Sequence, residues 1–237
     1  MTTANCSNRG LTILPDDVAS NSELTELNCA RNQITELPYY PKLTELVCWN
    51  NQLTELLGYP KLTKLVCPGN QLTELLEYPE LTKLNCAHNQ LTELPYYPRL
   101  TELDCWNNQL TELLEYPELT ALFCPCNQLT DLPKYPDLTM LSCQRNQLTE
   151  LLGYPKLTRL YCDGNQLTEL PEYPELTTLD CQDNQIEYLP YYPKLTGINL
   201  TGNPIAELMA DPTDVKEYHR LYRHELENRK KSAKSFI

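Results

Sequence analysis

The chain has 237 residues, 41% hydrophobic and 22% charged, with a formal net charge of −13. That length fits one repeat domain, and no run approaches the roughly 20 apolar residues of a membrane-spanning helix. The acidic balance opposes nucleic acid, because phosphate recognition needs a basic stripe.

The start, MTTANCSNRG, lacks the basic and apolar blocks of a secretory signal. Cys6 is followed by Leu11-Thr12-Ile13-Leu14-Pro15, which mimics an L-T-E-L-P that recurs later, and Arg9 stands where later copies have Asn. Residues 1–23 therefore read as a degenerate N-terminal capping coil.

From Leu24 a 19-residue unit returns nine times, as in LTELVCWNNQLTELLGYPK at Leu43–Lys61, and a partial tenth copy ends at Ile205. Such a period marks a solenoid. Numbered 1 to 19 from the first Leu, each copy opens L-T-x-L-x-C-x-x-N-Q-L, which resembles the signature segment of a leucine-rich repeat with Cys at the third apolar position. The alternation at positions 3–7 predicts a short strand with Leu and Cys inward. Stacked coils then form a parallel sheet at about 4.8 Å per strand, stabilised by neighbours. The resemblance implies a leucine-rich repeat solenoid, a horseshoe or right-handed superhelix. Its concave face is the parallel β-sheet, its convex face is extended or polyproline-like, and a C-terminal α-helix caps it.

Position 9 is Asn in ten copies, from Asn32 to Asn203. A short amide suits a buried turn whose backbone groups need partners from coil to coil. Tyr-Pro fills positions 17 and 18 in all nine full copies, from Tyr40-Pro41 to Tyr192-Pro193. Proline there excludes a helix and predicts an extended back, with the Tyr rings stacked along it as a ladder.

Nine of eleven cysteines occupy position 6: Cys29, Cys48, Cys67, Cys86, Cys105, Cys124, Cys143, Cys162 and Cys181. Cys6 fits the same place, and Leu200 replaces Cys in the last coil. The pattern predicts buried, stacked, small hydrophobes. Their mutual proximity favours a reducing cytosol over an oxidising compartment. Zinc needs ligands at short spacing, and a 19-residue ladder offers none. Cys126 departs from the ladder at position 8. Its nearest repeat histidine, His88, is two coils away, about 10 Å by strand spacing, too far to act as its base. No acid, base, nucleophile or metal constellation converges, so neither an enzyme nor a cofactor is expected.

Position 13 carries eight acids, Glu36, Glu55, Glu74, Glu93, Glu112, Asp131, Glu150 and Glu169, read as a solvated rim. The sheet face, at positions 3, 5, 7 and 8, is nearly balanced. It has acids Glu26, Glu45, Glu102, Asp104, Asp163, Asp180 and Asp183 against bases Arg31, Lys64, Lys83, Arg145 and Arg159.

These same four positions vary while their neighbours barely change. The residues include Val47, Trp49, Val66, His88, Trp106, Phe123, Met140, Arg145, Arg159 and Tyr161. Large aromatics and Arg anchor protein interfaces, so these ten are the candidate partner-binding residues. Copies one to three (Leu24–Glu80) closely match copies four to six (Leu81–Asp137). This 57-residue duplication means Trp106 can be inherited from Trp49.

Asn203-Pro204-Ile205 closes the repeats. Asp211-Pro212-Thr213-Asp214 predicts a helix start, with an acceptor cap and Pro at the first helical position. Val215, Tyr218, Leu221, Tyr222 and Leu226 form an apolar stripe. Residues 206–237 thus read as a helical cap followed by a polar, frayed tail.

The full pattern P-x-L-x-x-L-x-C-x-x-N-x-L-x-x-L-P resembles the short leucine-rich repeats of bacterial effector proteins, including outer proteins and effector ubiquitin ligases. The resemblance implies a host protein target and delivery by a bacterial secretion machine, type III or type IV; the terminal Phe236-Ile237 segment resembles a C-terminal type IV signal. The ligases' catalytic domain has no counterpart here, and their helical segment precedes the repeats rather than following them. The expectation is a non-enzymatic, monomeric scaffold with a protein partner on its concave face. The competing reading is an assembly protein self-associating through its Tyr-Pro convex face.

Overall fold

The structure, a computed structural model, describes residues 2–222. Each coil contributes one three-residue strand, from β1 (Thr3–Asn5) and β2 (Glu26–Asn28) to β11 (Gly197–Asn199). The eleven strands form one parallel sheet in chain order. Pairing is in register, so Leu27 faces Leu46 and Leu46 faces Leu65: every residue's neighbour is its own counterpart one repeat away.

Three residues beyond each strand, position 8 enters the left-handed region. Its φ lies at 52–56° in Arg31, Asn50, His88, Asn107, Cys126, Arg145 and Asp183, and at 65–75° in Gly69, Gly164 and Gly202. Six of these ten residues are Gly, Asn or Asp for this reason. Variation at position 8 is thus narrower than a free surface site would allow.

The core takes Leu from positions 1, 4 and 14, Leu or Ile from 11, Cys from 6 and Tyr from 17. Position 9 completes it. In the middle coils each Asn Nδ2 donates to the Cys carbonyls of its own and the preceding coil, and its Oδ1 accepts the position-11 N–H of the preceding coil. A threonine ladder, to which sequence reasoning gave no role, runs beside the strands. Each position-2 hydroxyl donates to the preceding Thr carbonyl, as Thr44 does to Thr25 at 3.0 Å.

The back of every full copy is free of helix, as expected, and shows two features that the repeat pattern alone does not give. The position-17 tyrosines stack from Tyr40 to Tyr116 and from Tyr135 to Tyr192, with centroids 6.1–6.5 Å apart, and all nine rings are buried. Each hydroxyl donates to the position-15 carbonyl of the coil before, as Tyr97 does to Leu76 at 3.1 Å. A self-associating surface built on these rings is therefore not what the back presents. Tyr-Pro is also not extended chain: the N–H of Leu43 returns to the Tyr40 carbonyl at 3.2 Å, a turn with Pro at its second place that sends the chain into the next coil. Position 19, the third residue of this turn, carries charges of both signs. Lys42–Glu23, Lys156–Asp137 and Lys194–Glu175 pair at 2.5 Å, and Arg99 pairs with Glu80. Being exposed, each pair contributes little.

The first coil's extra residues form a short helix, α1 (Asp16–Ala19). A helical turn thus precedes the repeats as well as following them. At the other end, the 3₁₀ turn Pro204–Leu208 intervenes, and residues 215–222 are helical. Asp211–Asp214 is a turn, Asp214 N–H to Asp211 carbonyl at 3.0 Å, not the helix's first turn. Asp214 Oδ1 accepts from Lys216 N–H at 2.8 Å and is the cap. Tyr218 is buried and meets the last ladder ring, accepting from Tyr192 N–H and donating to the Pro190 carbonyl. Val215 and Leu221 pack on the core. Leu226 and the expected tail lie outside the described residues.

Candidate protein-binding site on the sheet face

Alternation of inward and outward side chains puts all ten candidate residues on the outer face of the sheet or its adjoining corner. They span copies two to eight, about 29 Å at strand spacing, and register sorts them into groups. Val47 pairs with Val66, and Trp49 lies beyond them at position 7. Phe123 pairs with Ser142, which pairs with Tyr161; Met140 pairs with Arg159. Arg145 sits on the corner next to this second group. Val47, Val66, Phe123, Met140 and Tyr161 are half-buried, whereas His88, Trp106, Arg145 and Arg159 are exposed.

Two aromatic pairs recur. The Arg31 guanidinium stands 4.6 Å from the Trp49 ring centroid, within cation–π range. His88 meets Trp106 edge-on at 4.5 Å. In each pair, position 8 of one coil packs on position 7 of the next, and their backbones are hydrogen-bonded, Arg31 to Trp49 at 2.8 Å and His88 to Trp106 at 2.7 Å. The pairs are 57 residues apart, three coils, about 14 Å. Trp106 is 44% exposed. Arg31 and Asn107, which holds His88 Nδ1 at 2.9 Å, were not among the sequence candidates. The duplication carried the signal, since both tryptophans follow a basic residue at position 8 of the coil before.

Beside the second pair, across copies three to six, the face forms a hollow of about 250 Å³, lined by Val66, Asn85 and Phe123 and by charged side chains. Its lysines are paired, Lys64 with Glu45 at 2.8 Å and Lys83 with Glu102 at 2.7 Å. Asp104 accepts from Asn85 Nδ2 at 3.0 Å and from Trp106 N–H at 3.2 Å. Burial raises its carboxyl above the usual range, while the Trp106 N–H and His88 oppose the rise. Asp163 is raised by burial and by Asp180. The charges thus offer mixed polar complementarity rather than one-signed attraction.

Cys126 is half-buried on the position-8 corner, with Asn107 between it and His88 in the column. The ladder thiols are buried, and burial pushes Cys29 and Cys67 up to about 12, so they are poor nucleophiles. Among the described residues, no group of three or more His, Cys, Asp or Glu is placed to hold a metal ion, and no helix is long and apolar enough to cross a membrane.

The leucine-rich repeat family model, in its two-copy form, matches residues 79–116. No curated protein sequence matches the chain. Among solved structures, YopM from Yersinia enterocolitica WA-314 is 32% identical with a TM-score of 0.82, over 86% of this chain and 47% of that one. YopM from Yersinia pestis, a leucine-rich effector protein, is 34% identical with a TM-score of 0.77, over 85% and 61%. The functional domain of InlJ from Listeria monocytogenes, which includes a cysteine ladder, is 32% identical with a TM-score of 0.67, over 86% and 53%. The chain spans roughly half the length of these proteins. The sequence motif, the parallel solenoid and these likenesses agree: the chain is a leucine-rich repeat protein whose repeats resemble those of bacterial effector proteins.

Proposed function

We propose that the chain is a non-enzymatic scaffold that holds a protein partner on its sheet face, as a bacterial effector acting on host proteins. The carrying observation is the duplicated Arg31–Trp49 and His88–Trp106 arrangement, with Trp106 exposed. Tryptophan and arginine are typical of interface hot spots, and leucine-rich repeats of this kind mediate protein–protein interaction. The effector YopM supports the host-directed part of the reading. On this reading Phe123, Tyr161, Met140 and Arg159 extend the contact, residues 1–23 cap one end of the stack and the helix that begins at residue 215 caps the other, and the monomer works in a reducing cytosol, delivered by a type III or type IV machine. The column of thiols supports a reducing compartment.

The test is capture from host-cell lysate by the full chain, compared with Trp49→Ala/Trp106→Ala. A defined protein retained by the parent and lost by the variant, with unchanged melting, is the expected result. Equal retention by both refutes the site.

A further inference from the structure

Apart from Trp106 on the sheet face, the large apolar side chains that copies one to five leave exposed lie on the convex back. At positions 15 and 16 of repeat copies one to five, Tyr39 is 55% exposed, Leu57 37%, Leu76 44%, Tyr96 48% and Leu114 40%. These five lie on consecutive coils, so they form a stripe about 19 Å long at strand spacing. The core does not require them. It is already filled on this side by position 14 and the buried position-17 tyrosine. Gly58 leaves a notch in the stripe, its missing side chain facing Leu76. A contiguous apolar strip on an otherwise polar back marks an interaction surface.

Charge says what covers it. Two residues before the stripe, about 7 Å along extended chain, runs the exposed acid column of position 13. Glu77 and Glu115 add acids at position 16, and positions 13 to 16 of these five coils contain no base. A second copy of this chain would bring the same acids to the interface, as would an anionic membrane. The complementary occupant has an apolar spine flanked by Lys or Arg. A stripe of this length accommodates an amphipathic helix of about 13 residues, at 1.5 Å per residue.

We propose that the convex back of repeat copies one to five is a second docking surface, distinct from the sheet face, that binds a basic amphipathic helix of a partner protein. Because the stripe and the sheet face are on opposite sides of the coil, the chain can hold two partners at once and bring them together.

The test uses the full chain and a fluorescein-labelled peptide of about 14 residues, Leu at helical spacing and Lys elsewhere, read by anisotropy in about 50 mM salt. Saturable binding is expected, weakened on the order of tenfold or more by Leu57→Ser/Leu76→Ser and unaffected by Trp49→Ala/Trp106→Ala. That pattern separates this surface from the sheet-face reading. Glu55→Lys/Glu74→Lys, at exposed sites outside the core, must also weaken binding, which keeps the test decisive if the leucine variant melts early. Equal binding by these back variants, or equal binding of a Ser/Lys peptide, overturns the proposal. So does sedimentation as a dimer that Leu57→Ser/Leu76→Ser abolishes, since a second copy is then the occupant.

Discussion

Replacing Asn108 with Ala isolates the physical role of the asparagine column. Asn108 is 8% exposed. Its Nδ2 donates to the carbonyls of Cys86 and Cys105 at 3.1 Å each, and its Oδ1 accepts Leu91 N–H at 3.0 Å. The two carbonyls keep a second donor each, from Asn89 at 3.0 Å and Asn127 at 3.1 Å. Leu91 N–H, in a fully buried residue, loses its acceptor. An orphaned buried donor costs about 1–3 kcal/mol and each lost bond about 0.5–1.5 kcal/mol, so Asn108→Ala is expected to cost about 2–6 kcal/mol. Asn32 makes the same kind of bonds, but its Oδ1 serves Arg9 and Leu11 N–H groups in the exposed first coil. Water can replace it there, and Asn32→Ala should cost about 1 kcal/mol. Urea unfolding followed by far-UV circular dichroism and tryptophan fluorescence measures both. If Asn108→Ala is within about 0.5 kcal/mol of the parent, or Asn32→Ala costs more, the accounting is wrong.

The tyrosine ladder predicts a steep alkaline transition. Burial raises the position-17 hydroxyls above the ordinary value, as in Tyr59 and Tyr97. The folded state therefore favours the protonated form, and stability is full below about pH 10 and falls above it, by about 1.4 kcal/mol per pH unit for each of the nine rings. Absorbance at about 295 nm should show them ionising together with loss of the far-UV signal near pH 11; gradual ionisation in the folded state contradicts the burial. Thiol labelling at about pH 8 should distinguish Cys126, the half-buried exception. A ladder thiol raised to about 12, such as Cys67, is only ~0.01% thiolate there, against roughly a quarter for an ordinary thiol. Mass spectrometry should find one fast modification, and rapid labelling of several residues counts against the closed core. Cys126→Gly should raise stability by about 1 kcal/mol, because φ 54° strains a side chain but not glycine; a lower melting temperature contradicts the assigned strain.

Much of this architecture was legible because a strict period makes each residue its own neighbour. The Leu and Cys columns, the Asn column and the acidic rim follow from one repeat once coils stack in register. The caps were less legible, since they break the period. Asp211 has the chemistry of a helix cap, yet Asp214 caps the helix, because the 211–214 turn joins it to the last coil. The candidate site was legible residue by residue but not as pairs. That Arg31 lies over Trp49 depends on position 8 of one coil reaching position 7 of the next.

By itself, then, the sequence determined the stack: its period, its parallel sheet, its inward Leu, Cys and Asn, and its variable outer face. These depend only on alternation and repetition, which are local properties of the chain. The tertiary structure alone decided which way the back faces. The Tyr-Pro turn folds the position-17 ring into the core and leaves positions 15 and 16 in solvent, because the direction of a side chain outside a strand is set by the corner angles that close each coil. The same closure fixes the left-handed residue at position 8 and, through it, the contacts between coils on the candidate binding face.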